Sequence, residues 1–385
     1  MTCANKNTVA LHSCDSYDEA VLKELILKSF DELGIHPADY RGKQVMLKPN
    51  LVRRMDASQG GTTHPNMLAA TAMIFMEAGA DVMVAESPGG PYNAAALKLV
   101  YRGCGIEAAA ERVGIPICYG SDIISHPCPK GEFIRSFNLI KPTADADLIV
   151  NLCKLKSHGL TKMTAAVKNY FGCVPGVEKV EMHARFPERR DFCGMLIDLC
   201  RMITDMKPTI SILDAIVGME GNGPTNGTPR KLGFMMVGCD PFVMDRLACE
   251  MIGYEDTVLM VEMAKERGLA PTDLSEITVL GEDYKALCVT DFKAPDSDAA
   301  KALKLLPNIF GGRLNRFLQP KPAIDKPKCV GCGECVRSCP MKTIEIKEKK
   351  ANINTKNCIS CFCCQELCPK DAVKIHKNWL IKVIG

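Results

Sequence analysis

The chain has no long apolar run, few aromatic residues and little net charge, and each shortage removes a class of function. No stretch of about 18 apolar residues could cross a bilayer. The opening Met1-Thr-Cys-Ala-Asn-Lys-Asn lacks the charged-then-apolar order of a secretory signal, so a cytoplasmic protein without a transmembrane segment is expected. Aromatics make up 6% of the residues, with Trp379 the single tryptophan, so the core must rest on aliphatic side chains and 20 methionines. A formal charge of +3 over 385 residues is no basic footprint, and nucleic acid is not an expected partner. There is no P-loop, no Gly-x-Ser-x-Gly and no His-Glu-x-x-His. Gly103-Cys-Gly105-Ile-Glu-Ala108 matches the dinucleotide fingerprint loosely, but it follows a helical pattern where a strand is required.

Cysteine is what the chain has in quantity. Eight of its 21 cysteines form two copies of one pattern, Cys329-x2-Cys332-x2-Cys335-x3-Cys339-Pro340 and Cys358-x2-Cys361-x2-Cys364-x3-Cys368-Pro369. This is the spacing of paired 4Fe-4S clusters, in which the fourth cysteine of each run ligates the other cluster. Cys329, Cys332, Cys335 and Cys368 are therefore assigned to one cluster, and Cys358, Cys361, Cys364 and Cys339 to the second. Zinc knuckles and disulfides are the rival uses of such cysteines. Cys363 lies inside the second run outside the pattern and reads as a packed thiol. The remaining cysteines, among them Cys104, Cys153, Cys193 and Cys249, sit singly in apolar surroundings and fit a reducing compartment. With oxygen-sensitive clusters they suggest an anaerobe. Each cluster with its four thiolates carries about −2, which takes the formal +3 to about −1.

Residues 322 to 376 resemble bacterial two-cluster ferredoxins. Val330, Gly331, Gly333, Glu334, Ile359 and Ser360 fill the gaps between ligands, mostly with small residues, so that backbone N–H groups can approach cluster sulfurs and tune the potential. Ile344-x-Ile346 and Ile353 predict a hairpin with those side chains inward, and Ala372-Val373-Lys374-Ile375 repeats the segment after the second run.

The first 280 residues alternate short apolar strands with helices. Strands are predicted at 8–12, 45–48, 81–85, 146–150, 209–213, 234–237 and 277–280, with helices at 16–33 and 66–78 closed by Gly34 and Gly79. The expected fold is α/β, a mostly parallel sheet covered by helices, plus a small α+β ferredoxin-like domain. The expected division is an α/β domain over 1–285, a linker over 286–321 and the cluster domain over 322–385. Within the linker, Lys301, Lys304, Arg313, Arg316 and Lys321 lie beside Leu303, Leu305, Leu306, Ile309, Phe310 and Phe317. That mixture suits a membrane-surface helix, although Pro307 and Gly311-Gly312 interrupt the face and favour a packed linker.

In a parallel sheet, ligands bind beyond the carboxyl ends of strands. Lys48 and Asn50 follow one strand, Glu86-Ser-Pro-Gly-Gly90 the next, and Lys154, Lys156 and His158 another. Asp214 ends a fourth, and Asp240 follows a fifth. Lys168 and Asn169 are expected on a helix starting near Thr161, with Lys154, Lys156 and His158 on the loop entering it. Lysines at a helix start attract phosphate or carboxylate groups. Asp214, Glu220 and Asp240 are candidate oxygen ligands for a divalent cation or candidate bases. His64, His158 and His183 stand in glycine or proline turns and are candidates for proton transfer, together with Lys168.

Lys48-Pro-Asn50-Leu-Val, Thr62-Thr-His-Pro65, Glu86-Ser-Pro-Gly-Gly90, Lys154 to His158, Lys168-Asn169-x-Phe-Gly-x-Val-Pro-Gly176 and Asp214 through Asn222-Gly-Pro224 together resemble the domain of unknown function 362, over roughly residues 8 to 285. The resemblance implies an architecture, often joined to a two-cluster ferredoxin module, and no settled reaction.

The leading expectation is an iron-sulfur oxidoreductase whose α/β domain binds an anionic small molecule or an organic cofactor of unknown kind. In it Lys154, Lys156, His158, Lys168 and Asn169 hold the anion, and His64 or His183 donates protons. The alternatives are a ferredoxin-like electron carrier docking a redox partner protein, and a non-redox enzyme with structural or sensing clusters.

Overall fold

A computed structural model describes residues 5–297 and 319–376. Its large domain contains strands β1 (Thr8–Ser13), β2 (Gln44–Pro49), β3 (Asp81–Val84), β4 (Ile123–Pro127), β5 (Ser136–Ile140), β6 (Leu148–His158), β7 (Lys162–Thr164), β8 (Thr209–Glu220), β9 (Thr228–Gly238) and β10 (Thr278–Gly281). β4 and β5 form a separate hairpin, and the others make one sheet in the order β10-β1-β9-β8-β6-β2-β3, with β7 beside β6. The pairs β2/β3, β2/β6, β6/β8 and β1/β10 are parallel. β9 runs antiparallel to both β8 and β1.

The helices cover both faces because their apolar stripes need a partner. Helix Glu19–Leu33 buries Leu22, Ile26, Phe30 and Leu33 along one side. Asp18 accepts hydrogen bonds from the free N–H groups of its first turn, and Gly34 ends it at φ 66°. Helix Pro65–Glu77 joins it on that face, while helices Arg189–Met206, Pro241–Met251 and Leu259–Glu266 build the core of the other. β6 is buried along its whole length, as is most of β8, which reads as continuous apolar strand interrupted by the polar groups discussed below.

The small domain has β11 (Lys321–Ile324) paired with β14 (Val373–His376), and the predicted hairpin as β12 (Ile344–Lys347) and β13 (Lys350–Ile353). Ile344 is buried as expected. Ile346 is not, being 39% exposed.

Three local expectations are corrected. Lys154, Lys156 and His158 do not lie on a loop: β6 continues through them, because β8 runs alongside as far as Glu220 and supplies its hydrogen bonds. No helix starts near Thr161. Residues 162–164 turn back as β7 against β6, and Lys168 and Asn169 end the short helix Ala166–Asn169. Asp214 sits inside β8 and does not end it. Packing on the large domain also extends past residue 285: Phe292 is buried in its core, and Ser297 Oγ donates to the Gly159 carbonyl. The basic and apolar segment from Lys301 to Phe317 and Trp379 lie outside the described residues.

Candidate functional site

The cysteines of the small domain line two separate cavities. Cys329, Cys332, Cys335 and Cys368 line one cavity, and Cys339, Cys358, Cys361 and Cys364 line another. A single zinc ion would need its sulfurs about 2.3 Å from one point. Among the described residues no three His, Cys, Asp or Glu side chains stand close enough to hold one metal ion. Backbone N–H groups of Ala351, Ala372, Thr343 and Ser360 lie 3.3–3.4 Å from the sulfurs of Cys329, Cys368, Cys339 and Cys358. These donors favour thiolate and would tune a bound cluster.

A cleft of about 90 Å³ opens between the two domains at the carboxyl ends of β2, β3 and β6. The large domain contributes Asn50, Lys156, His158, Lys168, Asn169, Lys179 and His183, and the small domain contributes Cys363, Glu366 and Leu367. Helix Cys363–Glu366 of the small domain is thus part of the wall, and contacts around it fix the docking. Arg53 pairs with Asp371 at 2.7 Å, Gln365 Nε2 donates to the Asn222 carbonyl at 3.1 Å, and a Cβ at Gly89 would press on Leu367.

The cleft's cations are held in different ways. Lys156 donates to Asn50 Oδ1 at 2.6 Å and to the Gly61 carbonyl. Burial, with Lys168 nearby, pulls its ammonium down to about 7. Lys179 donates to the Ser87 carbonyl, and burial brings it to about 8 against the pull of Glu86. The Lys168 ammonium lies 5.9 Å from the Phe171 ring centroid and has no hydrogen bond or ion pair among the described residues. Burial lowers its pKa, while Glu366 works the other way.

His158 Nδ1 accepts from the N–H groups of Leu160 and Thr161, which puts the ring proton on Nε2. Burial holds this imidazole neutral. His183 stacks on Phe192 at 4.3 Å, is pushed down to about 3 by burial, and keeps Nδ1 without a protein partner. Thr164 Oγ1 in the same wall also lacks one. Buried polar atoms without partners are costly, so these two mark where a polar ligand fits.

Behind the wall, Lys48 pairs with Glu86, a carboxylate whose pKa burial raises despite Lys48 and Lys179. Gly172 stands so close to Glu86 that a Cβ there would overlap the carboxylate. Asn50 Nδ2 donates to Asn169 Oδ1, and Asn169 Nδ2 to Asn151 Oδ1, both at 2.7 Å. This chain of amides locks the floor.

The remaining candidates lie elsewhere. Lys154 pairs with Asp214 at 2.8 Å, Tyr17 donates to the second Asp214 oxygen at 2.7 Å, and His64 stacks on Tyr17 at 3.7 Å while capping helix Pro65–Glu77. They form a second buried polar cluster outside the cleft lining. Glu220 accepts from Lys293 N, and Asp240 caps helix Pro241–Met251.

Sequence reasoning left Lys179, Cys363 and Glu366 out of the site and named Glu86 only as a strand end, without a role. Lys179 was detectable from its distance behind Lys168. Nothing local marked Cys363 or Glu366, because they reach the cleft only through domain docking.

Two family models match the chain. One, described as a domain of unknown function (DUF362), covers residues 45–250, and the other, a 4Fe-4S dicluster domain, covers 321–369. A protein of Synechocystis sp. described as thylakoid-associated is 32% identical over 303 residues, spanning 75% of this chain and 88% of the relative. Among the described residues no helix is long and apolar enough to cross a membrane.

Proposed function

The chain belongs to the DUF362 family and carries a 4Fe-4S dicluster domain, and from that premise we propose that it is an oxidoreductase acting on an anionic small molecule or organic cofactor bound in the interdomain cleft. The observation that carries this reading is Cys363. It stands between Cys361 and Cys364 of the second cysteine set, yet lines the same wall as Lys156, Lys168 and Lys179. When bound, the clusters supply one-electron transfer.

The chain's own residues do the rest. Lys168 offers an unspent charge to an anion, with Lys156 and Lys179 adding field in a place shielded from water. The Asn50, Asn169 and Asn151 amides hold Lys156 in position. His183, neutral and with a free Nδ1, is the group we assign to proton exchange with the ligand. Leu367 and Phe171 exclude water from the wall. A divalent cation would arrive with the ligand, since Asp214 and Asp240 are spent on Lys154 and a helix cap.

The test is anaerobic isolation, followed by iron counting and mass spectrometry of the extracted small molecule. About eight irons and a bound anion, lost in Lys168→Ala with the iron retained, support the reading. About eight irons with an empty cleft in the wild type would replace it by an electron carrier that only docks a partner.

A further inference from the structure

Outside the cleft, the small domain carries a surface that the reading above does not use. Of the eight predicted ligands, Cys332 is the most exposed, and it belongs to the cavity shared with Cys329, Cys335 and Cys368. Two apolar side chains on the rim of that cavity face solvent, Val330 at 57% exposure and Ile346 at 39%. Both run against the tendency of so small a domain to bury its apolar groups.

Lysines surround them. Lys370 lines the cavity, and the Lys349 backbone touches Gly331. Lys350 Nζ donates to the Cys329 carbonyl at 2.6 Å, Lys326 Nζ donates to the Ala351 carbonyl at 2.8 Å, and Lys328 is exposed beside Cys329. Most neighbouring carboxylates are paired, Asp325 with Lys374, Glu334 with Arg337, Asp371 with Arg53 and Glu345 with Lys347, and the exposed Glu348 of the hairpin turn is outnumbered by the lysines around it. Lys328, Lys349 and Lys370 have no ion pair among the described residues. A small apolar centre with a charged rim is the anatomy of a transient protein interface, and the sign of the rim selects the partner.

We propose that this surface docks a small, acidic, one-electron carrier protein over the Cys329, Cys332, Cys335 and Cys368 set, on a face separate from the cleft. Each encounter moves one electron, oxidising the carrier and reducing this protein, or the reverse. The centring of the rim on the exposed ligand favours a protein carrier over an anionic lipid surface, which would gain nothing from that position.

The experiment uses the anaerobically isolated full chain and a flavodoxin of strongly negative net charge as probe. Binding of the oxidised flavodoxin is measured by titration calorimetry at several salt concentrations, and reduction of the protein by the reduced flavodoxin is followed by stopped-flow absorbance. The variant Lys328→Glu/Lys349→Glu/Lys370→Glu is expected to bind and react at least about tenfold more weakly, with a flattened salt dependence, while iron content and reduction by dithionite are kept. Lys28→Glu/Lys285→Glu, on the large domain, is the control and should change neither. Unchanged affinity and rate in the triple variant would overturn the proposal. So would a variant that loses binding to vesicles containing anionic lipid but keeps the flavodoxin rate. An empty cleft would refute the proposed function and leave this result standing, so the two fail separately.

Discussion

His158 Nε2 lies 3.2 Å from Glu366 Oε1, joining the last residue of β6 to the helix that carries the second cysteine run. The distance is that of an ion pair, but the direction falls outside hydrogen-bond geometry, and neither atom has another partner. Burial keeps His158 neutral and raises the Glu366 pKa, while Lys168 and Lys156 oppose that rise. The contact therefore places a carboxyl group of the small domain among lysines of the large one.

Lys154 and Lys168 should separate structure from binding. Lys154→Ala leaves Asp214 buried without its cation and should destabilise the protein by about 3–5 kcal/mol, seen as a lower denaturant midpoint. Lys168→Ala removes no protein hydrogen bond and should leave the midpoint within about 1 kcal/mol while ligand retention falls. A Lys168→Ala protein that keeps its ligand would exclude this lysine from the site.

Stability and binding should respond to pH with opposite signs. Lys156 and Lys179 titrate near about 7 and about 8 in the folded protein, below the ordinary lysine range. Above those values the unfolded chain holds more protons than the folded one, so stability without ligand should rise from pH 7 towards 10. An anion prefers the charged lysines, so its affinity should fall over the same rise, by up to about tenfold per pH unit for each coupled proton. Thermal melts and calorimetry across this range would show it. A pH-independent affinity would mean that neither lysine touches the ligand.

Ligand crossing can be read from iron counts. Cys339→Ser/Cys358→Ser removes two ligands of one set and should leave about four irons, whereas Cys339→Ser/Cys329→Ser touches both sets and should leave almost none. The reverse pattern would mean that each run closes its own cluster.

Gly172→Ala forces a methyl group onto the Glu86 carboxylate, which its pairing with Lys48 prevents from moving freely. A loss of about 1–3 kcal/mol is expected, together with weaker ligand retention, because Glu86 and Gly172 both line the cleft. Wild-type stability in this variant would show that the wall can yield.

The 4Fe-4S dicluster domain and most strands were legible from sequence because their signals are local. Cysteine spacing sets which sulfurs can wrap one cavity, and apolar runs bounded by glycine mark strands and helices wherever they sit. The fate of each lysine was not local. Lys154 and Lys156 are two residues apart on one strand, but Lys154 stands opposite Asp214, and a register shift sets Lys156 opposite Met219. One is therefore neutralised by its neighbour, and the other turns to Asn50 at the cleft. Tertiary structure alone decided this, as it decided that Cys363 and Glu366 complete a wall built by residues some 200 positions earlier. Charge pairing and burial depend on which distant groups the fold brings within a few ångströms, and no window of sequence contains that distance.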